Sequence, residues 1–95
     1  MREVYIKIKG RVQGVGFRRW TKKEARSIGE ISGWVRNCDD RSVEILMRGN
    51  QEKIEEMIQK CYQGPLWARV DEIIFMPAVT NHFLPLIVDG SFDII

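Results

Sequence analysis

The sequence predicts an α+β fold in which an antiparallel sheet carries two helices on one face. Short runs that alternate apolar and polar residues mark half-buried strands. Two longer runs repeat their apolar residues at helical spacing. Strands and helices alternate as strand-helix-strand, then strand-helix-strand again. With 95 residues, 44% hydrophobic and 29% charged, the chain has the size and composition of one globular domain over 1–95 with one core.

Each element has its own signature. Val4, Ile6 and Ile8 alternate with Tyr5, Lys7 and Lys9, the period-two pattern of a first strand. Phe17, Trp20, Thr21, Ala25 and Ile28 recur at helical spacing, and Gly29 suits the C′ stop. Ile31 to Arg36 reads as a second strand ending at Asn37, with Cys38 to Arg41 as a turn. Val43, Ile45 and Met47 alternate with Glu44, Leu46 and Arg48 in a third strand. Asn50 is placed to cap a second helix whose apolar face is Ile54, Met57, Ile58 and Cys61, closed by Gly64-Pro65. Val70 to Met76 gives a fourth strand, and Phe92 to Ile95 a short fifth. This order is the ferredoxin-like βαββαβ sandwich. Strands joined by a crossover helix run parallel, so strands one and two must end at the same edge of the sheet.

That edge receives the run Gly10-Arg11-Val12-Gln13-Gly14-Val15-Gly16-Phe17-Arg18. Its glycines allow tight turns that leave N–H groups pointing inward, and the following helix start adds unpaired donors and partial positive charge. Arg18 supplies a planar charged fork that suits phosphate or carboxylate oxygens. The loop Gln13, Gly14, Val15, Gly16, Phe17 and Arg18 therefore reads as an anion cradle, with phosphate as the guest. Asn37 arrives at the same edge as either a turn residue bonding its own backbone or an amide able to orient water.

Several chemistries are excluded. Arg19 stands where a third dinucleotide-binding glycine would be, and no Gly-Lys-Ser/Thr ends the loop. No metal-ligand spacing or paired carboxylate appears, so neither a metal site nor a cofactor is expected. His82, the single histidine, sits in a late loop as an incidental residue. Cys38 and Cys61 have no pairing motif and read as free thiols of a reducing compartment. The chain enters its first strand without a signal segment, and no long apolar span follows, which gives a cytoplasmic address and no membrane contact. Net charge +2 is too small for bulk nucleic-acid binding. Among the aromatics of the central strands only Tyr5 is placed to stack a base, so nucleic acid is not an expected partner.

A phosphate cradle with one arginine and one amide suits phosphoryl transfer, which is mostly positioning and charge stabilisation. A carboxylate leaving group departs without a proton from a general acid. An acyl phosphate meets that requirement.

The run Gly10 to Arg18, followed by Gly33-Trp34-Val35-Arg36-Asn37 and Val43-Glu44, resembles the acylphosphatases over about residues 3 to 76. The resemblance implies hydrolysis of acyl phosphates to a carboxylate and inorganic phosphate, without metal or cofactor. It implies Arg18 as the phosphate-binding arginine, Asn37 as the residue that positions water, and inorganic phosphate as product and inhibitor. The alternative is a phosphate- or acyl-phosphate-binding module of the same fold without catalysis. The chain departs from the family pattern in two places. Asp40-Arg41 replaces the usual Asp-Gly after the asparagine, which predicts a strained turn or one of another type. The tail from Pro77 to Gly90 is long and apolar, and Pro85 argues against a central strand there. Phe83 to Val88 is expected to add an edge segment, to cover the core, or to make the chain a weak homo-oligomer rather than a monomer.

Overall fold

A computed structural model describes residues 1–77 and 84–95. Its elements run β1 (Arg2–Arg11), α1 (Phe17–Ile28), β2 (Ile31–Asn37), β3 (Val43–Gly49), α2 (Gln51–Gln63), β4 (Arg69–Met76) and β5 (Phe92–Ile94). The sheet order is β4-β1-β3-β2-β5. β3 lies between β1 and β2 and is antiparallel to both, which makes β1 and β2 parallel, as the crossover helix requires. β4 pairs antiparallel with the other edge of β1.

One expectation is corrected. The sheet is mixed, because β5 lies parallel to β2 with Gly33 opposite Phe92. Residues 84–91 cross the sheet's helix-free face before β5, so the chain enters the β2 edge in the direction of β2. Among the contacts that hold that crossing are three from side chains of β2 and β3. Trp34 Nε1 donates to the Pro85 carbonyl at 2.9 Å, the Gly90 amide donates to Ser32 Oγ at 2.8 Å, and Arg48 pairs with Asp89.

Two apolar clusters result from the alternation along the strands. On the helix side, Ile6, Ile8, Val35, Val43, Ile45 and Met47 bury against Phe17 and Ala25 of α1 and Ile54, Met57, Ile58 and Cys61 of α2. On the other side, Tyr5, Trp34 and Leu46 form a smaller cluster joined by Met76, Leu84 and Ile87. Leu84 and Ile87 of the tail are therefore core cover, and no edge strand forms between Leu84 and Gly90. Leu86 and Val88 stay exposed. Phe83 and His82 lie outside the described residues.

Both helix ends follow their sequence signals. Asn50 caps α2 by accepting the Glu52 amide at 2.8 Å, worth about 1 kcal/mol. Gly64 and Gly29, both at positive φ, close α2 and α1. α1 starts differently: its N-cap is Gly16 in the left-handed region, with no side-chain cap and no acidic residue in the first turn. That helix end is open to an external anion.

Candidate active site

The glycine loop turns because Gly14 and Gly16 hold φ at 75° and 79°, a region costly for residues with a Cβ. Val12 and Phe17 anchor its two ends in the core. The first amides of α1 are left without helical partners, as at any helix start. Arg18 and Arg19 follow in the first turn, where positive charge opposes the helix dipole. A helix folding for stability alone would place carboxylates there.

Arg18 and Asn37 meet at this loop. Both line one cleft of about 380 Å³, together with Val12, Gly14, Gly16, Phe17, Arg19 and Ile94. Nineteen positions separate them in sequence, and the parallel β1 and β2 deliver both to the same sheet edge. Both side chains are exposed. Among the described residues neither makes a side-chain hydrogen bond, so Asn37 does not spend its amide on its own turn.

Of the loop residues, Phe17 is 2% exposed and offers the cleft only backbone. The side chain of Gln13 serves the architecture. Its Nε2 donates to the carbonyls of Cys38 and Ser42, both at 2.9 Å. One amide thus ties the glycine loop to both arms of the β2–β3 hairpin, one residue beyond Asn37. The sequence reading missed this cross-link, and it missed Arg19 and Ile94 as cleft residues. Arg19, an arginine next to Arg18, is a visible signal. Ile94 is not, because its place depends on the route of β5.

The hairpin itself carries the expected strain. The Arg41 amide donates to the Cys38 carbonyl at 3.1 Å, and the Cys38 amide donates to the Ser42 carbonyl at 2.9 Å. These bonds define a three-residue loop whose last position is left-handed, a position that glycine favours. Arg41 occupies it at φ 71°. Asp40 braces the loop by accepting from the Ser42 amide and hydroxyl and from Lys7 Nζ, which holds its carboxyl well below the usual range. Replacing Arg41 with glycine relieves about 1–2 kcal/mol of backbone strain against about 0.4–1 kcal/mol of added unfolded-chain entropy. The expected result is a melting temperature raised by a few degrees in a thermal circular dichroism scan, and a lowered one would show that the arginine is unstrained.

Behind the hairpin, Glu44 is buried and accepts from Tyr5 Oη at 2.6 Å and Arg36 Nη2 at 2.8 Å. Burial pushes the Glu44 carboxyl up, but these two donors outweigh it and the net shift is down. Burial, then the Glu44 hydrogen bond, pushes Tyr5 up to about 12. Tyr5 is thus a buried structural phenol and presents no ring to a stacked base. Burial also raises both thiols, Cys61 to about 12, so neither is an activated nucleophile. Among the described residues no group of three or more His, Cys, Asp or Glu side chains is placed to hold a metal. None of the helices described is long and apolar enough to cross a membrane.

A model of the acylphosphatase family matches residues 4–93. The chain belongs to the acylphosphatase family. An acylphosphatase of Nitrobacter winogradskyi is 53% identical over 76 residues, which are 80% of this chain and 76% of that one. The crystal structure of the Bacillus subtilis acylphosphatase superposes with a TM-score of 0.84 at 30% identity, covering 100% of this chain and 99% of that one. HypF of T. kodakarensis matches with a TM-score of 0.77 at 32% identity, and there the match spans only 12% of the longer chain. The activity that follows for this chain is that of the family, the hydrolysis of acyl phosphates.

Proposed function

We propose that this protein is an enzyme that hydrolyses the carboxyl–phosphate bond of acyl phosphates, releasing a carboxylate and inorganic phosphate by in-line attack of water. The observation that carries the mechanism is the meeting of Arg18, Asn37 and an uncapped helix N-terminus in one cleft. The phosphoryl group lies in the loop from Gln13 to Arg18, its oxygens held by backbone N–H groups and by the Arg18 guanidinium. Charge grows on those oxygens as the bond to the carboxylate opens, and these donors are aimed where it grows. Asn37 accepts a hydrogen bond from the attacking water and fixes its approach. The departing carboxylate is stable as an anion, so no general acid is required.

The reading needs no metal and no cofactor. Its test is turnover of benzoyl phosphate in excess chelator, with release of stoichiometric benzoate and phosphate. Full activity is expected; loss that is restored by a divalent cation would overturn the metal-free mechanism. A binding module without catalysis is disfavoured by relatives that this chain spans over most of their length and that are named acylphosphatases.

The residues 1–95 are taken as a single acylphosphatase-like domain. The two free cysteines support a reducing, cytoplasmic setting. With Leu84 and Ile87 packed on the sheet, Leu86 and Val88 are the exposed apolar groups among the described residues of the 77–90 segment that serve weak self-association, and otherwise the protein is a monomer.

A further inference from the structure

A second cleft, of about 480 Å³, adjoins the first and shares Val12 with it. Its walls are the end of β1, the start of β4 and the β2–β3 turn, and it is lined by Gly10, Arg11, Gln13, Arg41, Arg69 and Asp71. Three of these residues are arginines and one is a carboxylate.

The cleft holds more positive charge than it pairs. Arg11 and Arg69 stand directly opposite each other in the β1–β4 ladder, where like charges destabilise a sheet. A bulge between Lys9 and Gly10 re-aims the strand end at this point. Asp71 neutralises Arg69, accepting from its guanidinium at 3.0 and 3.4 Å, so the charge left without a counterion at this rung is that of Arg11. Arg11 and Arg41 have no ion-pair partner among the described residues. Arg41 reaches the cleft from a left-handed backbone position that glycine would fill without strain. An arginine of the ladder without a counterion and a strained arginine of the turn converge on one concave surface. Backbone strain of this kind clusters where a ligand is bound.

We propose that this cleft is a second oxyanion site, taking a carboxylate or phosphate group between the Arg11 and Arg41 guanidinium groups. Guanidinium forks match such oxygens in pairs. The anion is either a charged group on the acyl part of a substrate whose phosphoryl end lies in the glycine loop, or a free oxyanion. The substrate arm of the test rests on the acyl-phosphate reading above, whereas the binding arm does not.

Binding is read first in the Arg18→Ala variant, with the glycine loop weakened. Inorganic phosphate is titrated while the arginine Nε–Hε resonances are followed by NMR. Saturable shifts at Arg11, Arg41 and Arg69 are expected, weakened about tenfold by adding Arg11→Gln or Arg41→Gly. Shifts that drift without saturating, equally at all exposed arginines, would overturn the proposal. Turnover of benzoyl phosphate and of its 4-carboxy derivative by the otherwise unaltered protein then separates the sources. A preference for the carboxy substrate that Arg41→Gly abolishes, with benzoyl phosphate turnover unchanged, assigns the site to substrate. Saturable binding without that preference assigns it to a free oxyanion. Absence of any benzoyl phosphate turnover would count against the enzymatic reading alone and leave the binding result intact.

Discussion

The Arg18→Ala variant is expected to lose about 10²–10³-fold in kcat for benzoyl phosphate, the usual cost of removing one oriented donor from a developing anion. Its stability is expected to hold. The Arg18 side chain is exposed and makes no hydrogen bond or ion pair among the described residues. It also stands in the first turn of α1, whose dipole it opposes. A cation at that end costs a few tenths of a kcal/mol, about 0.3–1 at most, so removing it leaves the melting temperature unchanged or slightly raised. The two readouts together separate a binding role from a structural one. An Arg18→Lys variant keeps the charge but loses the planar fork, so its rate should fall between the two. Equal kcat/KM in parent and alanine variant, measured by release of benzoate, would end the assignment of Arg18 as the phosphate-binding arginine.

Much of this site can be read from the chain because its geometry follows from topology. The alternation of Val4, Ile6 and Ile8 identifies β1, and the helical spacing of Phe17, Thr21 and Ala25 makes the next element a crossover helix. Parallel β1 and β2 follow, and with them the approach of Asn37 to the glycine loop. Three further features depend on contacts that no local pattern contains. The side chain of Gln13 points to the carbonyls of Cys38 and Ser42, and a glutamine among glycines reads equally well as loop polarity. β5 has three residues, too few for a period-two pattern to name its partner or its direction. The run from Leu84 to Gly90 has no periodicity; it is held by Trp34, Ser32 and Arg48, each far away in sequence. Arg41 is the intermediate case. The missing glycine is visible in the sequence and announces strain, but only the bonding of Cys38 with Arg41 and Ser42 shows that the chain accepts the left-handed conformation instead of changing the turn.

Asn37 provides the sharpest division of labour. Its backbone pairs with Val43 at the end of β2, and the next residue's carbonyl is held by Gln13 at 2.9 Å, so the position of residue 37 does not depend on its own side chain. Asn37→Ala should therefore keep the fold and the cradle and remove only the amide proposed to orient water. A drop of about 10²–10³-fold in kcat is expected, comparable to the loss of an oriented catalytic group. The inhibition constant for inorganic phosphate should stay within about a factor of three, because in the proposed mechanism phosphate is held by the loop amides and Arg18, which the substitution leaves in place. Asn37→Asp adds a second test: a carboxylate of the same shape repels the phosphate, so it should weaken inhibition as well as rate. Alanine lowering kcat alone and aspartate lowering both would locate Asn37 beside the phosphate without making it a binding group. If alanine weakened phosphate inhibition as strongly as turnover, the amide would be holding the phosphate itself, and the attacking water would have to be oriented by the backbone of the glycine loop.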